Sequence, residues 1–201
     1  GLSWRISQED FLKNSAPWLT NLKVKASYGT QGARGSQLYM YQALASITAP
    51  NGNNPGSLMS QLANPTLTWE SQGSLNIGAE FTIKNKLRGD LTYFRRQGMD
   101  QLYFRPFPLS TGMSGRWENV MSTVNEGVEA ALYFNVINKG GFTWNMDINA
   151  THFKNSISKL PDGLNEIITG NFRYAEGQSY YDYYLVESRG IDAQGNELYV
   201  G

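Results

Sequence analysis

The feature that most constrains the fold of this chain is a strict alternation of side chains between Leu67 and Ile83. The odd positions are mostly apolar, and the even positions carry no apolar side chain. A period of two residues predicts a β-strand with one apolar face and one polar face. At about 3.3 Å per residue this strand spans on the order of 55 Å, far more than the roughly 17–20 Å of an ordinary globular strand.

A very tight turn follows this strand. Lys84-Asn85-Lys86 reverses the chain, and apolar residues alternate with polar ones again from Leu87 to Tyr93. Residues 66–96 are therefore predicted to form a long β-hairpin, which supplies the third and fourth strands of the chain.

The same alternation predicts four more strands. They are a strand ending near Trp4 and Ile6, a strand of about ten residues from Leu22 that Gly29 and Gly32 close, a strand over 128–136 and a strand over 142–151. Asn138-Lys139-Gly140-Gly141 turns the fifth strand tightly into the sixth. After the first strand, Ser7 offers the cap of a short helical turn that carries Phe11 and Leu12.

The connections between the predicted strands differ in length by a simple rule. Those after the first, third and fifth strands are short or compact. Those after the second, fourth and sixth are long, over residues 31–65, 98–125 and beyond Lys154. Short turns at one end and long loops at the other are typical of outer-membrane barrels, which have short periplasmic turns and long extracellular loops.

The two faces of the strands favour the same fold. The apolar face extends over about ten residues in each strand, as a lipid-facing band requires. The opposite face carries polar residues, as the water-filled interior of a barrel requires. Aromatic residues lie near the strand ends, at Phe81, Tyr93, Phe134, Phe142 and Trp144. We therefore predict an all-β fold that forms part of a transmembrane antiparallel up-and-down β-barrel of about six strands. A soluble β-rich surface adhesin or glycan-binding module also has alternating strands and remains the alternative.

Composition and motifs argue against several other functions. The 17 basic and 17 acidic residues of the 201 cancel, so no net charge points to nucleic acid. Cysteine is absent, and no glycine-rich phosphate loop opens a helix. The single histidine, His152, falls on the apolar face at a strand end, and no pair of carboxylates suits a glycan hydrolase. We predict no enzyme activity, no catalytic residue, no metal and no cofactor.

Aromatic residues in the long loops are the feature that suits ligand binding, because sugars stack their C–H faces on such rings. The alternative is that the rings pack loop against loop or against a partner protein. The predicted substrate- or partner-contacting residues are Tyr39, Tyr41, Tyr103, Phe104, Trp117, Tyr180, Tyr181, Tyr183 and Tyr184, with Phe107 close by.

Several short motifs also carry a resemblance to a known family. They are Gly1-Leu2-Ser3-Trp4-Arg5-Ile6, the run from Leu22 to Gly29, the run from Asn64 to Glu70, Asn76-Ile77-Gly78-Ala79-Glu80-Phe81, Asn125-Glu126-Gly127-Val128-Glu129 and the run from Gly190 to Asn196. In these motifs the chain resembles the second half of the barrel of the SusC/RagA family of TonB-dependent outer-membrane transporters. Ala33 departs from the family, which usually carries Asn there.

The resemblance implies a 22-stranded barrel plugged by an N-terminal domain, in the outer membrane of a Gram-negative-type bacterium. It implies three partners: TonB as the source of energy, a SusD-like surface lipoprotein as a lid, and an oligosaccharide or peptide as the substrate. Residues 1–201 are then expected to be a partial barrel domain, with the plug and the closing strands outside it.

Overall fold

The computed structural model describes residues 1–35, 37–51 and 54–200, which are mostly antiparallel β-strand. In chain order the elements of this part are β1 (Leu2–Trp4), α1 (Asp10–Ser15), β2 (Leu19–Ala33), β3 (Leu44–Asn51), β4 (Asn54–Gln61), β5 (Glu70–Ile83), β6 (Leu87–Pro106), β7 (Gly115–Lys139), β8 (Phe142–Lys159), β9 (Glu166–Thr169), β10 (Phe172–Ala175), β11 (Ser188–Ile191) and β12 (Glu197–Tyr199). Single 3-10 turns lie at Ile6–Gln8 and Leu109–Thr111. Among the described residues, no helix has the length and apolar character needed to cross a membrane.

One large sheet dominates the described part of the chain. It has six strands in the order β1-β2-β5-β6-β7-β8, and every neighbouring pair is antiparallel. The hairpin β3–β4 is inserted between β2 and β5, and β9–β10 and β11–β12 form two further small hairpins after β8. The predicted up-and-down arrangement of six strands is confirmed.

The two tight turns at the lower end of the sheet are where the sequence predicts them. Lys84 and Asn85 have φ of 48° and 54°, and the Lys86 N–H donates to the Ile83 carbonyl over 2.9 Å. Gly140 and Gly141 have φ of 62° and 81° between β7 and β8. Left-handed backbone at two successive positions gives the turn the twist that the paired strands need.

The long strand predicted from Leu67 starts later, at Glu70. The side-chain amide of Asn119 explains the difference, because its Oδ1 accepts from the Thr68 N–H over 2.8 Å and its Nδ2 donates to the Thr68 carbonyl over 2.9 Å. A side chain therefore takes the place of a neighbouring strand at this point. Apolar and polar residues still alternate in the sequence at Leu67 and Trp69, although the hydrogen-bonded strand begins only at Glu70.

The prediction of a long loop over residues 98–125 is wrong, because most of these residues belong to strands. β6 continues to Pro106 and β7 already begins at Gly115. The alternation fails here because the ladder register shifts between Gly98 and Gln101, and Asp100 in this bulge has a φ of 54°. A bulge puts two residues of one strand opposite one of its partner and so interrupts the sequence period.

The second strand is longer than predicted. β2 begins at Leu19 and runs to Ala33, and Gly29 and Gly32 pair within the ladder instead of closing it. The first strand is shorter than predicted, since the chain leaves it after Trp4. The predicted cap at Ser7 is also wrong: Ser7 lies buried in the 3-10 turn, and α1 follows without a side-chain cap.

The long loops contain more structure than the sequence pattern indicates. The stretch 31–65, predicted to be irregular, holds the hairpin β3–β4, and the polar stretch after Lys154 holds the end of β8 and two more hairpins. Ser36, Gly52 and Asn53 of the predicted loop lie outside the described residues.

The two faces of the sheet differ as the sequence predicts. One face, which we call the outer face, exposes apolar side chains across neighbouring strands, with Ile77 46% exposed and Val128 53% exposed. The ladder register aligns Ile77, Tyr93, Val128 and His152 in one row of this face. The main buried cluster lies at the upper end of the sheet and contains Met121, Ile157, Leu160 and Ile167.

Candidate functional site

The polar side of the sheet, which we call the inner face, carries a compact network of charges. Lys25 Nζ lies 2.5 Å from Asp90 Oδ2 and 3.1 Å from Glu80 Oε1, and Lys23 Nζ lies 3.7 Å from Glu80 Oε2. Thr92 donates to the second oxygen of Asp90 over 3.0 Å. Two lysines and two carboxylates are paired here, so the charges on this part of the inner face balance.

Above this network, the loops after β8 cover the upper end of β6, β7 and β8. The Ile157 N–H donates to the Gln178 carbonyl over 2.9 Å, and the Gly177 N–H donates to the Ile157 carbonyl over 2.8 Å. These two bonds lay residues 177–178 along the edge of β8. Ile157 itself is fully buried beneath them, beside Leu160.

Two asparagines hold the start of the tyrosine-rich segment on this surface. Asn155 Oδ1 accepts from the Tyr180 N–H over 2.7 Å, and Asn155 Nδ2 donates to Asn125 Oδ1 over 2.7 Å. Asn125 and Asn155 are direct partners across β7 and β8. The amide pair therefore links the strand ladder to the backbone of the loop.

The rings of this region form a group that we call the upper aromatic cluster: Tyr103, Phe172, Tyr174, Tyr180 and Tyr183. Ring centroids lie 4.8 Å apart for Tyr174 and Tyr180, 5.1 Å for Phe172 and Tyr183, and 6.5 Å for Phe172 and Tyr174, all stacked. Tyr103 packs against the buried cluster beneath them. Stacked aromatic pairs of this kind are worth about 0.5–1.5 kcal/mol each beyond the area they bury.

Burial changes the acidity of two phenols in this region at the upper end of the sheet. Desolvation raises the pKa of Tyr103, with a smaller contribution from Tyr180 nearby. Desolvation likewise raises the pKa of Tyr180, and Tyr174 adds to the effect. Both hydroxyls are therefore neutral at physiological pH and are available as hydrogen-bond donors and acceptors.

Three tyrosines of the segment, Tyr181, Tyr183 and Tyr184, are more exposed than Tyr180. Tyr181 is 67% exposed and Tyr183 is 70% exposed, and Tyr181 meets Tyr180 edge to face at 5.7 Å. Tyr184 lies under the guanidinium of Arg173, whose central carbon is 5.8 Å from the ring centre. Each of these rings is more than half exposed to solvent.

The other predicted site residues lie elsewhere. Phe104 and Trp117 form their own edge-to-face pair at 5.5 Å on β6 and β7. Tyr39 and Tyr41 line a separate depression of about 440 Å³ together with Trp69. The structure thus brings Tyr103, Tyr180, Tyr181 and Tyr183 together and places Tyr184 beside Arg173. The other predicted residues, Phe104 with Trp117 and Tyr39 with Tyr41, lie in two further places.

Sequence reasoning missed Phe172 and Tyr174, which supply central rings of the upper aromatic cluster. The signal for them was the short alternation Phe172-Arg173-Tyr174 on β10, since residues two apart on a strand share a face. Asn125 and Asn155 were also missed as anchors of the loop. Within the described residues, His, Cys, Asp and Glu form no group of three or more that could hold a metal ion.

A single antiparallel sheet with one exposed apolar face, one polar face, short turns below and long loops above is a section of a transmembrane β-barrel wall. The family model described as "TonB dependent receptor-like, beta-barrel" matches residues 1–197. The chain therefore belongs to the family of TonB-dependent receptors, and the predicted relation to SusC and RagA is confirmed. Members of this family are outer-membrane β-barrel transporters.

Relatives of known name are similar over nearly the whole chain. TonB-dependent receptor P3 of Formosa agariphila is 30% identical over 97% of this chain and 21% of its own length. TonB-dependent receptor SusC of Bacteroides thetaiotaomicron is 26% identical over 81% of this chain and 17% of its own length. The chain thus spans about a fifth of these relatives.

Solved structures of the RagAB peptide importer share the fold. In the open-open state the similarity has a TM-score of 0.82 at 27% identity, over 98% of this chain and 22% of that one. In the closed-closed state the TM-score is 0.80 at 25% identity, over 98% and 24%. The section of barrel wall described above is therefore preserved between these proteins.

Proposed function

We propose that the full protein imports oligosaccharides or peptides across the outer membrane of a Gram-negative-type bacterium. TonB supplies the energy, a SusD-like surface lipoprotein closes the barrel, and a plug carried by another part of the protein gates it. The present residues form part of the wall of a 22-stranded barrel and part of its extracellular vestibule. They take part in binding and passage and perform no covalent chemistry.

The observation that carries this proposal is the contrast between the two faces of the main sheet. The outer face exposes apolar side chains at Ile77, Leu91, Val128 and Ile148, which in water forfeit roughly 25 cal/mol for each Å² left unburied. The inner face over the same strands carries matched charges such as Lys25 and Asp90. Lipid outside and water inside satisfy both faces at once.

The rings above the membrane support a substrate that stacks and hydrogen-bonds. Tyr181, Tyr183 and Tyr184 are exposed beside Asp182, and neutral phenol hydroxyls such as that of Tyr180 lie next to them. This chemistry suits the C–H faces and hydroxyls of sugars, and it also suits the backbone of a peptide. The description of RagAB as a peptide importer supports the second of these substrate classes.

A lipoprotein lid needs an exposed contact surface at the top of the barrel. The depression lined by Tyr39, Tyr41 and Trp69 lies in the extension above the membrane-spanning strands, and all three rings are more than half exposed. We assign this surface to the lid and the upper aromatic cluster to the substrate. The two-component name RagAB supports such a partner.

Cell fractionation of the full-length protein tests the proposal. We expect it in the outer membrane, as a band whose gel mobility changes on heating, bound to a surface lipoprotein on purification. A strain without TonB should fail to take up the oligosaccharide or peptide that supports growth of the parent strain. Recovery in the soluble periplasm without a heat-modifiable band would contradict the barrel.

The soluble adhesin or glycan-binding module makes the opposite prediction for the excised segment. Residues 1–201 alone would then fold cooperatively in water without detergent. We expect this segment to be insoluble or unfolded, because its apolar outer face and its strand edges lack partners.

A further inference from the structure

The pairing of charges on the inner face differs between the membrane-spanning strands and the region just below the upper aromatic cluster. Below, Lys25 is paired with Glu80 and Asp90. Above, the register places Arg96 directly between Ser74 on β5 and Asn125 on β7. The rows immediately above and below that of Arg96 carry no carboxylate on this face of β2, β5, β6, β7 and β8.

Arg96 is held in place without a counter-ion from the described part of the chain. The central carbon of its guanidinium lies 5.1 Å from the ring centre of Phe94, a residue two positions away on the same face. Phe94 is itself buried, with 6% exposure. An aromatic face orients a guanidinium while its N–H groups stay free to donate, because the attraction acts through the ring and uses no hydrogen bond.

Amide and hydroxyl groups surround this cation. Gln31, Gln72 and Ser74 line a depression of about 380 Å³ with Arg96, and the Gln31 amide donates to Gln72 over 3.2 Å. Asn125 and its partner Asn155 lie on the other side of Arg96 in the same row. This lining offers several neutral donors and acceptors around one positive charge.

We propose that Arg96 binds a carboxylate of the transported substrate on its way from the vestibule into the barrel. The guanidinium fork matches the two carboxylate oxygens, and the neighbouring amides hold the rest of the substrate. This inference rests on the proposed function and adds the chemical class of the group recognised. A peptide carries such a group at its C-terminus, and an acidic oligosaccharide carries it on each uronate.

Binding by the purified full-length transporter tests the assignment with two matched pairs of probes. One pair is penta-alanine with a free carboxylate and its C-terminal amide. The other pair is trigalacturonate and its methyl ester. We expect the transporter to bind at least one acid roughly tenfold or more tightly than its neutral derivative, and the pair that shows the difference identifies the source of the carboxylate.

The neighbouring arginine provides a matched control. Arg95 lies on the outer face near Glu126, 3.9 Å from its carboxylate, so Arg95→Gln removes the same charge from the same strand. Arg96→Gln should reduce acid binding to the level of the neutral probe, and Arg95→Gln should leave it unchanged. Arg96→Lys should give an intermediate affinity, since it keeps the charge and loses the fork.

Three results would overturn the inference: equal binding of acid and neutral probes by the wild type, no binding of either acid, or an unchanged acid preference in Arg96→Gln. Uptake of neutral substrates that requires TonB, together with location in the outer membrane, tests the proposed function separately. A transporter that imports neutral substrates and ignores both acids would thus lose the carboxylate site and keep its function.

Discussion

Lys25 on β2 donates a hydrogen bond of 2.5 Å to Asp90 on β6, across the whole width of the intervening strand β5. Gly78 is the residue of β5 that pairs with Lys25 in the ladder. A Cβ atom at Gly78 would lie 2.9 Å from Lys25 Cε. Because Gly78 has no side chain, Lys25 can extend across β5 and reach Asp90.

Removal of this lysine should destabilise the barrel. Glu80 and Asp90 are direct partners in the register, and Lys25→Ala would leave these two carboxylates facing each other without the shared cation. Because all three groups are partly exposed, we expect a loss of only about 1 kcal/mol in the free energy of unfolding. Urea unfolding of the full-length protein in lipid vesicles measures it. Lys23→Ala, which touches only Glu80, should cost less, and an equal or larger loss there would contradict the network.

A methyl group at Gly78 should be poorly tolerated. Its Cβ would lie 2.8 Å from the Leu91 backbone carbonyl, which cannot rotate away as a side chain can. We expect Gly78→Ala to cost roughly 1–3 kcal/mol in the same unfolding assay. Gly29→Ala on β2 is the matched control, because no atom lies within 4 Å of its Cβ position. Similar stability of the two variants would refute the close approach at Gly78.

The assignment of the two faces can be tested at adjacent residues. Ile77 points outward and Asn76 points inward, where its side chain lies 3.5 Å from Ser27 Oγ. Ile77→Arg should cost roughly 2–4 kcal/mol if that position lies near the membrane midplane, whereas Asn76→Arg should cost far less. The fraction of protein that runs as the heat-modifiable barrel band at each urea concentration gives the free energy of unfolding of each variant. Equal tolerance at the two positions would reverse our assignment of lipid and lumen.

The tyrosine-rich segment should contribute to binding and not to the barrel. Replacing Tyr180, Tyr181, Tyr183 and Tyr184 together by Ala removes rings that stack above the sheet. Because these rings are assigned to the substrate, we expect lower substrate affinity, with lipoprotein co-purification and the heat-modifiable band unchanged. Uptake and lipoprotein co-purification are the measurements. If uptake remains at the wild-type level, these rings do not belong to the substrate site.

The pH dependence of the upper aromatic cluster follows from the raised pKa of Tyr180. Its neutral hydroxyl stabilises the packed loop fully below the unfolded value of about 10 and loses this contribution as the pH rises through the higher folded pKa. The absorbance at 295 nm of the wild type minus that of Tyr180→Phe follows this single phenol. We expect a midpoint above 10, and a midpoint at or below that value would show that the ring is not desolvated.

The sequence predicts the spanning part of the fold well and the extension above it poorly. From Leu75 to Ile83 each residue lies on the face that its polarity indicates, because lipid and water select opposite side chains. Beyond Gly98 the bulge at Asp100 interrupts the period, so β6 and β7 continue without a recognisable pattern. The aromatic composition of the loops was visible in the sequence, but the grouping of their rings was not.

The sequence by itself determined the six strands, their two faces, the tight turns at Lys84–Asn85 and Gly140–Gly141, and the family, because each depends on local periodicity or on short motifs. Only the tertiary structure decided where the strands end and which loop residues meet. Asn119 ends one ladder with its own side chain, and Asn155 anchors Tyr180 from 25 residues away. Such contacts join positions far apart in the chain and produce no periodic pattern in the sequence. They can therefore be identified only from the three-dimensional arrangement of the strands.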